Sequence, residues 1–314
     1  MDKYLQTATV NRQPVYLAGP TAVGKSAVAL ALAEKIGGEI ISVDSMQVYR
    51  GLDIGTAKPT AEEQARIPHH LINICDLREA FDAAQFVRLA QAVVGEILAR
   101  GRTPIFCGGT GLYFKALLEG LGEAPATDAA LRAELESAPL EQLLEELRAR
   151  DPETHEKIDR QNPRRVVRAV EVIRLTGKKF SAQRSAWESA TRQPLARFLC
   201  LTRNPDDLKQ RINLRVDEMF ARGLVDETRS LLVRGLAENK TALQAIGYRQ
   251  VVEHLQGERG LAETVELVKA RTRQFAKRQL TWFRRHGNCQ WLELPPGEPA
   301  QTTLARINRA LAAN

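Results

Sequence analysis

The chain has 314 residues, of which 44% are hydrophobic, and this is enough to bury a large core in one or two domains. Lys and Arg number 45 against 38 Asp and Glu, so the net charge of +7 favours polyanionic partners. The four cysteines form no C-x-x-C pair, which argues against a disulfide framework or a zinc site, and no apolar run approaches the roughly 18 residues that span a bilayer. We therefore expect a cytoplasmic protein with reduced thiols and no membrane partner.

The first predicted elements are a short apolar strand over 15–19 and an Ala/Leu-rich helix that begins at Ser26 and stops at Gly37. Between them lies a match to the phosphate-binding pattern G-x-x-x-x-G-K-[ST]. In such a loop the backbone amides surround phosphate oxygens, Lys25 neutralises them and Ser26 can ligate Mg²⁺. The predicted phosphate-binding residues are Gly19, Pro20, Thr21, Ala22, Val23, Gly24, Lys25 and Ser26.

The next strands decide what kind of chemistry the loop serves. An apolar strand over 39–44 ends on Asp44, a third strand is predicted over 69–74, and after a helix over 83–101 comes a buried strand that ends in glycines at 108–109. Nucleotide hydrolases usually carry a second acid at such a strand end, and none stands there. Asp44 instead occupies the position that faces the acceptor in small P-loop kinases, where it can remove a proton. The alternative is that Asp44 only caps the next turn.

A long loop over 44–59 follows Asp44 and combines polar side chains with Met46, Val48 and Tyr49. Loops at the carboxyl ends of strands commonly recognise substrates, whereas a solvated connection would not need the interleaved apolar residues. The segment "GGTG" would place Thr110 beside the same site, although a plain glycine turn explains it almost as well.

From about residue 120 the pattern becomes helical, with predicted helices over 128–136, 140–151 and 162–177. A short strand over 197–204 then rejoins the sheet, and a helical part follows from residue 206, with only 294–299 resembling a linker. The predicted fold class is α/β, a P-loop, nucleoside-kinase-like parallel sheet with helices on both faces plus an inserted all-helical domain. The predicted domains are 1–119 with 197–314, and the insertion 120–196.

Two basic segments indicate a nucleic acid partner. Residues 271–286 carry six Arg or Lys and no acid, and residues 164–179 carry six against the single Glu171. A merely solvated helix face would normally mix charges of both signs, so we expect both segments to contact nucleic acid as two sides of one groove.

Two further pairs of residues have more than one interpretation. Arg211 and Arg215 are four apart and share a helix face, so either can reach the phosphate site, or Arg211 can pair with Asp207. Tyr248 and Arg249 follow a glycine and suit base stacking and phosphate contact, with ordinary turn packing as the alternative.

Six segments taken in order give the chain a specific resemblance. They are "GPTAVGKS", "SVDSMQVYRGLDIGTAKP", "GGTGLYFKALL", "NPRRVVRAVEV", "AIGYRQ" and "AKRQLTWFRR". With these segments the chain resembles the bacterial tRNA dimethylallyltransferases over nearly its whole length. The resemblance implies an enzyme that transfers a dimethylallyl group from dimethylallyl diphosphate to the exocyclic N6 amine of the adenosine 3′-adjacent to the anticodon, in tRNAs that read UNN codons. It also implies a cytoplasmic enzyme, and we expect a monomer because one tRNA needs one groove.

The resemblance assigns roles to residues of this chain. Asp44 is implied as the general base, Thr110 as a threonine near the acceptor nucleotide, and Arg215 and Thr21 as partners of the diphosphate that Mg²⁺ on Ser26 also holds. The residues implied to lie against the tRNA are Asp44, Ser45, Met46, Gln47, Thr110, Arg132, Arg164, Arg165, Val166, Val167, Arg168, Gly247, Tyr248, Arg249, Gln250, Lys277, Arg278, Gln279, Leu280, Thr281, Trp282, Phe283 and Arg284. For Arg132 there is an alternative interpretation, because its segment also matches a plain amphipathic helix.

Three other functions share part of this pattern. An isopentenyltransferase acting on free adenine nucleotides would share the loop and Asp44 but has less use for two basic segments. A P-loop kinase of a small acceptor, for which the loop would bind ATP, and a tRNA-binding protein without activity belong to different classes.

Overall fold

One parallel sheet organises the chain. The computed structural model describes residues 12–120, 125, 127–182, 197–286 and 289–312. The strands are β1 Val15–Ala18, β2 Gly38–Val43, β3 His69–His70, β4 Thr103–Gly108, β5 Phe198–Thr202 and β6 Gln290–Glu293. They pair in the order β3-β2-β4-β1-β5-β6, and every pairing is parallel. The predicted α/β class is therefore confirmed.

Helices connect the strands and follow them. They are α1 Lys25–Ile36, α2 Ala61–Arg66, α3 Ala83–Ala99, α4 Gly111–Glu119, α5 Ala129–Ser137, α6 Leu140–Arg150, α7 Pro152–Lys157, α8 Pro163–Thr176, α9 Pro205–Ala221, α10 Leu224–Val233, α11 Tyr248–Leu255, α12 Leu261–His286 and α13 Ala300–Ala312, with 3₁₀ turns at Leu236–Glu238 and Ala242–Gln244. Their ends carry ordinary signals: Asp82 and Gln85 form a capping box at the start of α3, and α8 ends at the left-handed Gly177. None of the described helices is long and apolar enough to cross a membrane.

Alternating side chains divide the core between the two faces of the sheet. Val15 and Leu17 of β1 belong to an aliphatic cluster with residues of α1, α9 and α13. Tyr16, between them, stacks on Phe106 of β4 and meets Phe198 of β5, whose ring contacts Phe114 of α4. Helices therefore cover both faces, and a ligand site is expected at the ends of the strands.

The C-terminal part differs from its prediction in one respect. We predicted it to be helical with a linker over 294–299, but β6 adds a sixth strand beside β5, and 294–299 is the turn from β6 to α13. Leu294 in this turn is buried and its amide donates to the carbonyl of Thr202. An exposed edge strand with Gln and Glu lacks the apolar run by which the other strands were recognised.

The third strand is also shorter than predicted. Only His69–His70 pairs with β2, whereas 69–74 was expected to be extended. Leu71 and Asn73 adopt left-handed backbone conformations, with φ of 60° and 55°, and these end the strand.

The chain divides into two compact units, Met1–Phe114 with Gln193–Asn314 and Lys115–Arg192. In the second unit, Leu135 of α5 and Leu143 and Leu147 of α6 pack on Val166 and Val170 of α8. The helices predicted over 128–136, 140–151 and 162–177 are therefore present, and the exact domain limits at 119/120 and 196/197 stay a prediction.

Candidate active site

The strand register brings three predicted site segments to one edge of the sheet. Gly108, the last residue of β4, pairs with Val43 of β2 on one side and with Ala18 of β1 on the other. The next residues along these three strands are Asp44, Gly109 and Gly19. The phosphate loop, the candidate base and the glycine turn therefore begin side by side at the carboxyl ends of the strands, where parallel sheets bind ligands.

The phosphate loop has a backbone that its sequence requires. A Cβ on Gly19 would lie 2.5 Å from the carbonyl oxygen of Leu201 in β5, so only glycine fits this close approach. Gly24 and Ala22 both have positive φ, 107° and 62°, and the uncommon left-handed alanine marks a locally strained loop. Helix α1 begins at Lys25, so its N-terminal amides face the same place and form an anion site.

Four cationic side chains meet the loop. Lys25 Nζ donates to the carbonyl of Pro20 at 2.7 Å, and Arg215 Nη1 donates to Thr21 Oγ1 at 3.3 Å. Arg211 Nε donates to the carbonyl of Ala22 at 2.9 Å, and Arg203 Nε donates to the carbonyl of Val23 at 2.7 Å. The loop is thus surrounded by positive charge suited to a diphosphate.

Burial lowers the pKa of Lys25 to about 8. The negative charge of Asp44 raises the pKa of Lys25 and the positive charge of Arg215 lowers it, so Lys25 lies within electrostatic reach of both groups. Cys107, at the end of β4, stays a neutral thiol because burial raises its pKa to about 11. No negative charge therefore arises from this strand end near neutral pH.

Both arginines of α9, Arg211 and Arg215, reach the phosphate loop. Among the described residues no ion pair joins Arg211 to Asp207, the alternative that we considered, and Asp207 accepts from Arg203 Nη1 at 2.9 Å. Arg203 itself was not among the predicted site residues, although it follows directly after β5. A charged residue at the carboxyl end of a predicted strand is the signal that points to it.

The two carboxylate oxygens of Asp44 have different surroundings in this structure. Its Oδ1 accepts hydrogen bonds from the amides of Met46 at 2.8 Å and Gln47 at 3.3 Å, so the capping role that we weighed as an alternative is present. Among the described residues no hydrogen bond donor is found for Oδ2. One oxygen is therefore held in a turn while the other is available to a substrate.

The residues around Asp44 hold its turn in place. Thr110 Oγ1 accepts from the amide of Ser45 at 3.2 Å, which joins the glycine turn after β4 to the Asp44 turn. Gln47 Oε1 accepts from Ser42 Oγ at 2.8 Å, and its Nε2 donates to the carbonyl of Thr56 at 3.1 Å. The side chain of Gln47 therefore ties β2 to the following loop.

The loop over 44–59 is anchored by polar contacts of two side chains, Lys58 and Tyr248. Lys58 Nζ donates to Asp53 Oδ1 at 2.8 Å and to Asn73 Oδ1 at 2.5 Å. The hydroxyl of Tyr248 accepts from the amide of Gly55 at 3.0 Å and donates to Glu227 Oε1 at 2.6 Å. Tyr248 is fully buried, so its side chain is not free to stack on a base, and the turn-packing alternative accounts for it.

The other residues of this predicted tRNA segment differ in exposure. Gly247 caps the N-terminus of α11, where its amide donates to Gln250 Oε1 at 2.9 Å, and Gln250 is buried. Arg249 is exposed and pairs with Glu253 at 3.0 Å. Arg249 is the side chain of this segment that solvent, and hence RNA, can reach.

The basic segment lies on helix α12, where its residues divide between an exposed outer face and a buried inner face. Lys277, Arg278, Thr281 and Arg284 are exposed, Leu280 and Trp282 are partly buried, and Gln279 and Phe283 are buried. The guanidinium of Arg278 lies over the ring of Phe275, which is itself exposed, at 5.7 Å from the centroid. The outer face combines charge with an aromatic ring, a composition typical of RNA-binding surfaces.

In the second unit, a buried carboxylate holds two of the predicted tRNA-binding arginines. Glu171 has no exposed surface, and its Oε2 accepts from Arg132 at 2.8 Å and from Arg168 at 2.6 Å. Arg164 and Arg165, in the first turn of α8, are exposed, whereas Val166 and Val167 are buried in the core of the unit. The side chains of the two valines therefore cannot meet RNA, contrary to our expectation for them as contact residues.

The residues present fit a magnesium ion bound together with a diphosphate. Within the described ranges no group of three or more His, Cys, Asp or Glu side chains could hold a metal ion by itself. The Ser26 hydroxyl is exposed in the first turn of α1 beside the loop. Mg²⁺ is often bound by one or two protein oxygens together with phosphate oxygens and waters, and this donor set is compatible with that mode.

Comparison with known proteins agrees with the geometry. The family model described as IPP transferase matches residues 47–286. A protein from Trichlorobacter lovleyi named tRNA dimethylallyltransferase 1 is 48% identical over 283 residues, covering 89% of this chain and 93% of that protein. A tRNA dimethylallyltransferase from Geobacillus thermodenitrificans is 44% identical, covering 95% and 96%.

Solved structures give the same result. The full-length tRNA isopentenylpyrophosphate transferase from Bacillus halodurans is 40% identical with a TM-score of 0.69, covering 96% of this chain and 97% of that one. A eukaryotic dimethylallyltransferase acting on tRNA is 29% identical with a TM-score of 0.77, covering 96% and 80%. The fold, the loop and these relatives agree, and the chain belongs to the IPP transferase family.

Proposed function

We propose that the protein is a tRNA dimethylallyltransferase that uses dimethylallyl diphosphate as the donor. The acceptor is the N6 amine of the adenosine 3′-adjacent to the anticodon in tRNAs that read UNN codons. One structural observation carries the chemistry: the register of the sheet sets a phosphate loop beside Asp44, while β4 between them ends without an acid. That edge suits holding a diphosphate and deprotonating an acceptor, and it lacks the second acid typical of nucleotide hydrolysis.

Asp44 acts as the general base in this proposal. The adenine amine is a weak nucleophile because its lone pair is delocalised into the ring, so removing a proton as the C–N bond forms lowers the barrier. Oδ2 of Asp44 takes that proton, while Oδ1 stays bonded to the amides of Met46 and Gln47. Thr110 Oγ1 holds the neighbouring turn by accepting from the amide of Ser45, which supports the proposal that Thr110 is near the acceptor.

The leaving group is the diphosphate. As the C–N bond forms, the bond between the allylic carbon and the diphosphate oxygen breaks, and its electron pair leaves with that oxygen. The amides of the loop, Lys25 and Arg215 then stabilise the growing negative charge. A Mg²⁺ ion on Ser26 would add positive charge at the same diphosphate oxygens.

The acceptor must leave the anticodon stack to reach Asp44. Extruding a base costs a few kcal/mol, which contacts to neighbouring nucleotides must offset. The exposed cations of α12 and the first turn of α8 are suited to bind the phosphates of the anticodon stem-loop. We also propose that the protein acts as a cytoplasmic monomer, because one acceptor site serves one tRNA.

One assay tests the proposal against its alternatives. The purified protein is incubated with dimethylallyl diphosphate and Mg²⁺ together with unmodified tRNA or with AMP, and nucleosides are identified by mass spectrometry. We expect prenylated adenosine from tRNA and none from AMP. Prenylation of AMP alone would support the free-nucleotide enzyme, and phosphorylation of an acceptor by ATP would support a kinase.

A further inference from the structure

Gln279 stands on α12, between the exposed face of that helix and the phosphate loop. The buried stripe of α12 includes Val268, Ala276 and Phe283, and Gln279 occupies the same stripe with only 7% of its surface exposed. A buried glutamine amide needs partners for both ends, because an unsatisfied polar group in a core costs stability.

Both partners of Gln279 lie in the candidate active site. Its Oε1 accepts from the amide of Thr21 in the phosphate loop at 2.9 Å. Its Nε2 donates to the carbonyl of Gly109, in the turn after β4, at 3.0 Å. A single side chain thus links the basic helix to the loop and to the residue that precedes Thr110.

The turn after β4 is shaped to receive this helix. A Cβ on Gly109 would lie 2.2 Å from Nε2 of Gln279, and a Cβ on Gly111 would lie 2.2 Å from the ring of Trp282. The glycines on both sides of Thr110 therefore allow α12 to approach the turn closely. Any shift of α12 must move this turn, because close-packed groups cannot slide freely.

A second connection runs between α12 and α9. Arg273 Nη1 donates to Asn213 Oδ1 at 2.7 Å, and Lys269 pairs with Asp217 at 2.8 Å. Helix α9 carries Arg215, whose guanidinium bonds to Thr21 Oγ1. Thr21 is therefore held from α12 through its amide and from α9 through its hydroxyl.

We propose that Gln279 is a positioning residue that couples tRNA binding on α12 to diphosphate binding in the loop. The inference rests on the proposed function, because it takes the exposed neighbours of Gln279, Lys277 and Arg278, as tRNA contacts. RNA phosphates that bind this face fix α12, and the Gln279 amide then fixes the Thr21 amide and the Gly109 turn in one arrangement. Coupling between two sites is reciprocal, so diphosphate must strengthen RNA binding by the same factor.

The coupling is measured by calorimetry on the full chain with Mg²⁺ and inorganic pyrophosphate as the probe of the loop. The Kd of pyrophosphate is determined alone and with a saturating unmodified anticodon stem-loop RNA. We expect the RNA to tighten pyrophosphate binding at least about fivefold in the unaltered protein. The ratio to be compared is the Kd of pyrophosphate without RNA divided by the Kd with RNA. A ratio of one in the unaltered protein would overturn the inference, whatever the variants do.

Two variants remove the contact from opposite sides. Gln279→Met keeps the length of the side chain but loses both hydrogen bonds. Gly109→Ala places a methyl group against the far end of the Gln279 side chain, and Gly109 is absent from the glycines with positive φ, so alanine is compatible with its backbone. Gln301→Met on the exposed face of α13 is the matched control. We expect both contact variants to reduce the ratio to about one and the control to retain it.

The outcomes separate this inference from the proposed function. Retention of the full ratio by either folded contact variant would contradict a role for Gln279. If the unaltered protein prenylates tRNA but its pyrophosphate affinity ignores RNA, the coupling is wrong and the function stands. If it prenylates no tRNA, the proposed function fails independently.

Discussion

At the scale of single residues, the site depends on side chains that already have a structural partner. Asp44 accepts from the amides of Met46 and Gln47 with one oxygen, and among the described residues the other oxygen has no donor. Lys25 bonds to the loop that it serves. Such preorganised groups need little rearrangement during the reaction, which is the usual source of electrostatic stabilisation in enzymes.

Changing Asp44 to Asn separates its two roles. Asn keeps an oxygen that can accept from the Met46 and Gln47 amides but cannot act as a base. We therefore expect Asp44→Asn to lower turnover by about 10²-fold or more while tRNA affinity and the free energy of unfolding change little. Asp44→Ala should lose the same turnover and also destabilise the protein by about 1 kcal/mol.

The measurements are single-turnover prenylation and urea unfolding. Asp226→Asn, at an exposed position of α10, is the matched control and should keep full activity. Near-normal turnover in Asp44→Asn would exclude Asp44 as the base.

Lys25 predicts a pH dependence for diphosphate binding. Because burial lowers its pKa to about 8, the ammonium is charged below that pH and loses its proton as the pH rises through 8. Pyrophosphate affinity should therefore be full near pH 7 and fall about tenfold between pH 8 and 9.5. Lys25→Arg stays charged over this pH range. Dividing the Kd of the unaltered protein by the Kd of Lys25→Arg at each pH therefore removes the effect of titrating pyrophosphate itself. A ratio that does not change with pH would contradict this assignment.

At the scale of elements, helix α12 presents two different faces. Its outer face carries Lys277, Arg278 and Arg284, and its inner face carries Gln279 and Phe283. A helix with this division can bind a polyanion and support the loop at the same time.

The outer face predicts a change in the salt dependence of RNA binding. Replacing Lys277 and Arg278 by Gln should reduce the slope of log Kd against log salt by about one unit per lost phosphate contact. The control replaces Arg229 and Arg309, two exposed arginines outside α12, and removes the same charge. Equal slopes in the two double variants would show that the outer face of α12 is an ordinary solvated surface that does not contact RNA phosphates.

The helical unit offers a comparison between two predicted tRNA contacts, Arg132 on α5 and Arg165 on α8. Arg132 donates to the buried Glu171, whereas Arg165 is exposed. Arg132→Gln should destabilise the helical unit by about 1–3 kcal/mol, since it weakens a buried charge pair, and leave the salt slope unchanged. Arg165→Gln should lower the salt slope and leave stability unchanged. Stability is measured by denaturant unfolding and the salt slope by titrating RNA binding against salt. If Arg165→Gln destabilised the unit and Arg132→Gln lowered the salt slope, Arg132 would be the RNA contact and Arg165 the structural residue.

At the scale of the whole molecule, the parts that sequence predicted best are those with strong local signals. The loop from Gly19 to Ser26 has a fixed spacing, and the buried strands β1, β2, β4 and β5 are short, mostly apolar runs. The sequence does not predict β6, because this strand is short, exposed and partly polar. Its place in the sheet comes from pairing with β5, which no local pattern records.

The same limit explains which site details could not be predicted. Burial of Tyr248 and the pairing of Arg132 with Glu171 depend on contacts between residues far apart in sequence, whereas Arg168 and Glu171 are three residues apart on α8. The link from Gln279 to Thr21 joins residues 258 positions apart. Motif spacing identifies such residues as belonging to the site, but only the fold shows which ones face a ligand and which ones hold others in place.

The most direct test of the central claim is a prenylation assay on two tRNA transcripts that differ at one nucleotide. Both read a UNN codon, and one carries adenosine 3′ to the anticodon whereas the other carries guanosine, which has no amine at C6. With dimethylallyl diphosphate and Mg²⁺ we predict one prenyl group on the first transcript and none on the second. Equal modification of both, or modification of neither, would contradict the account.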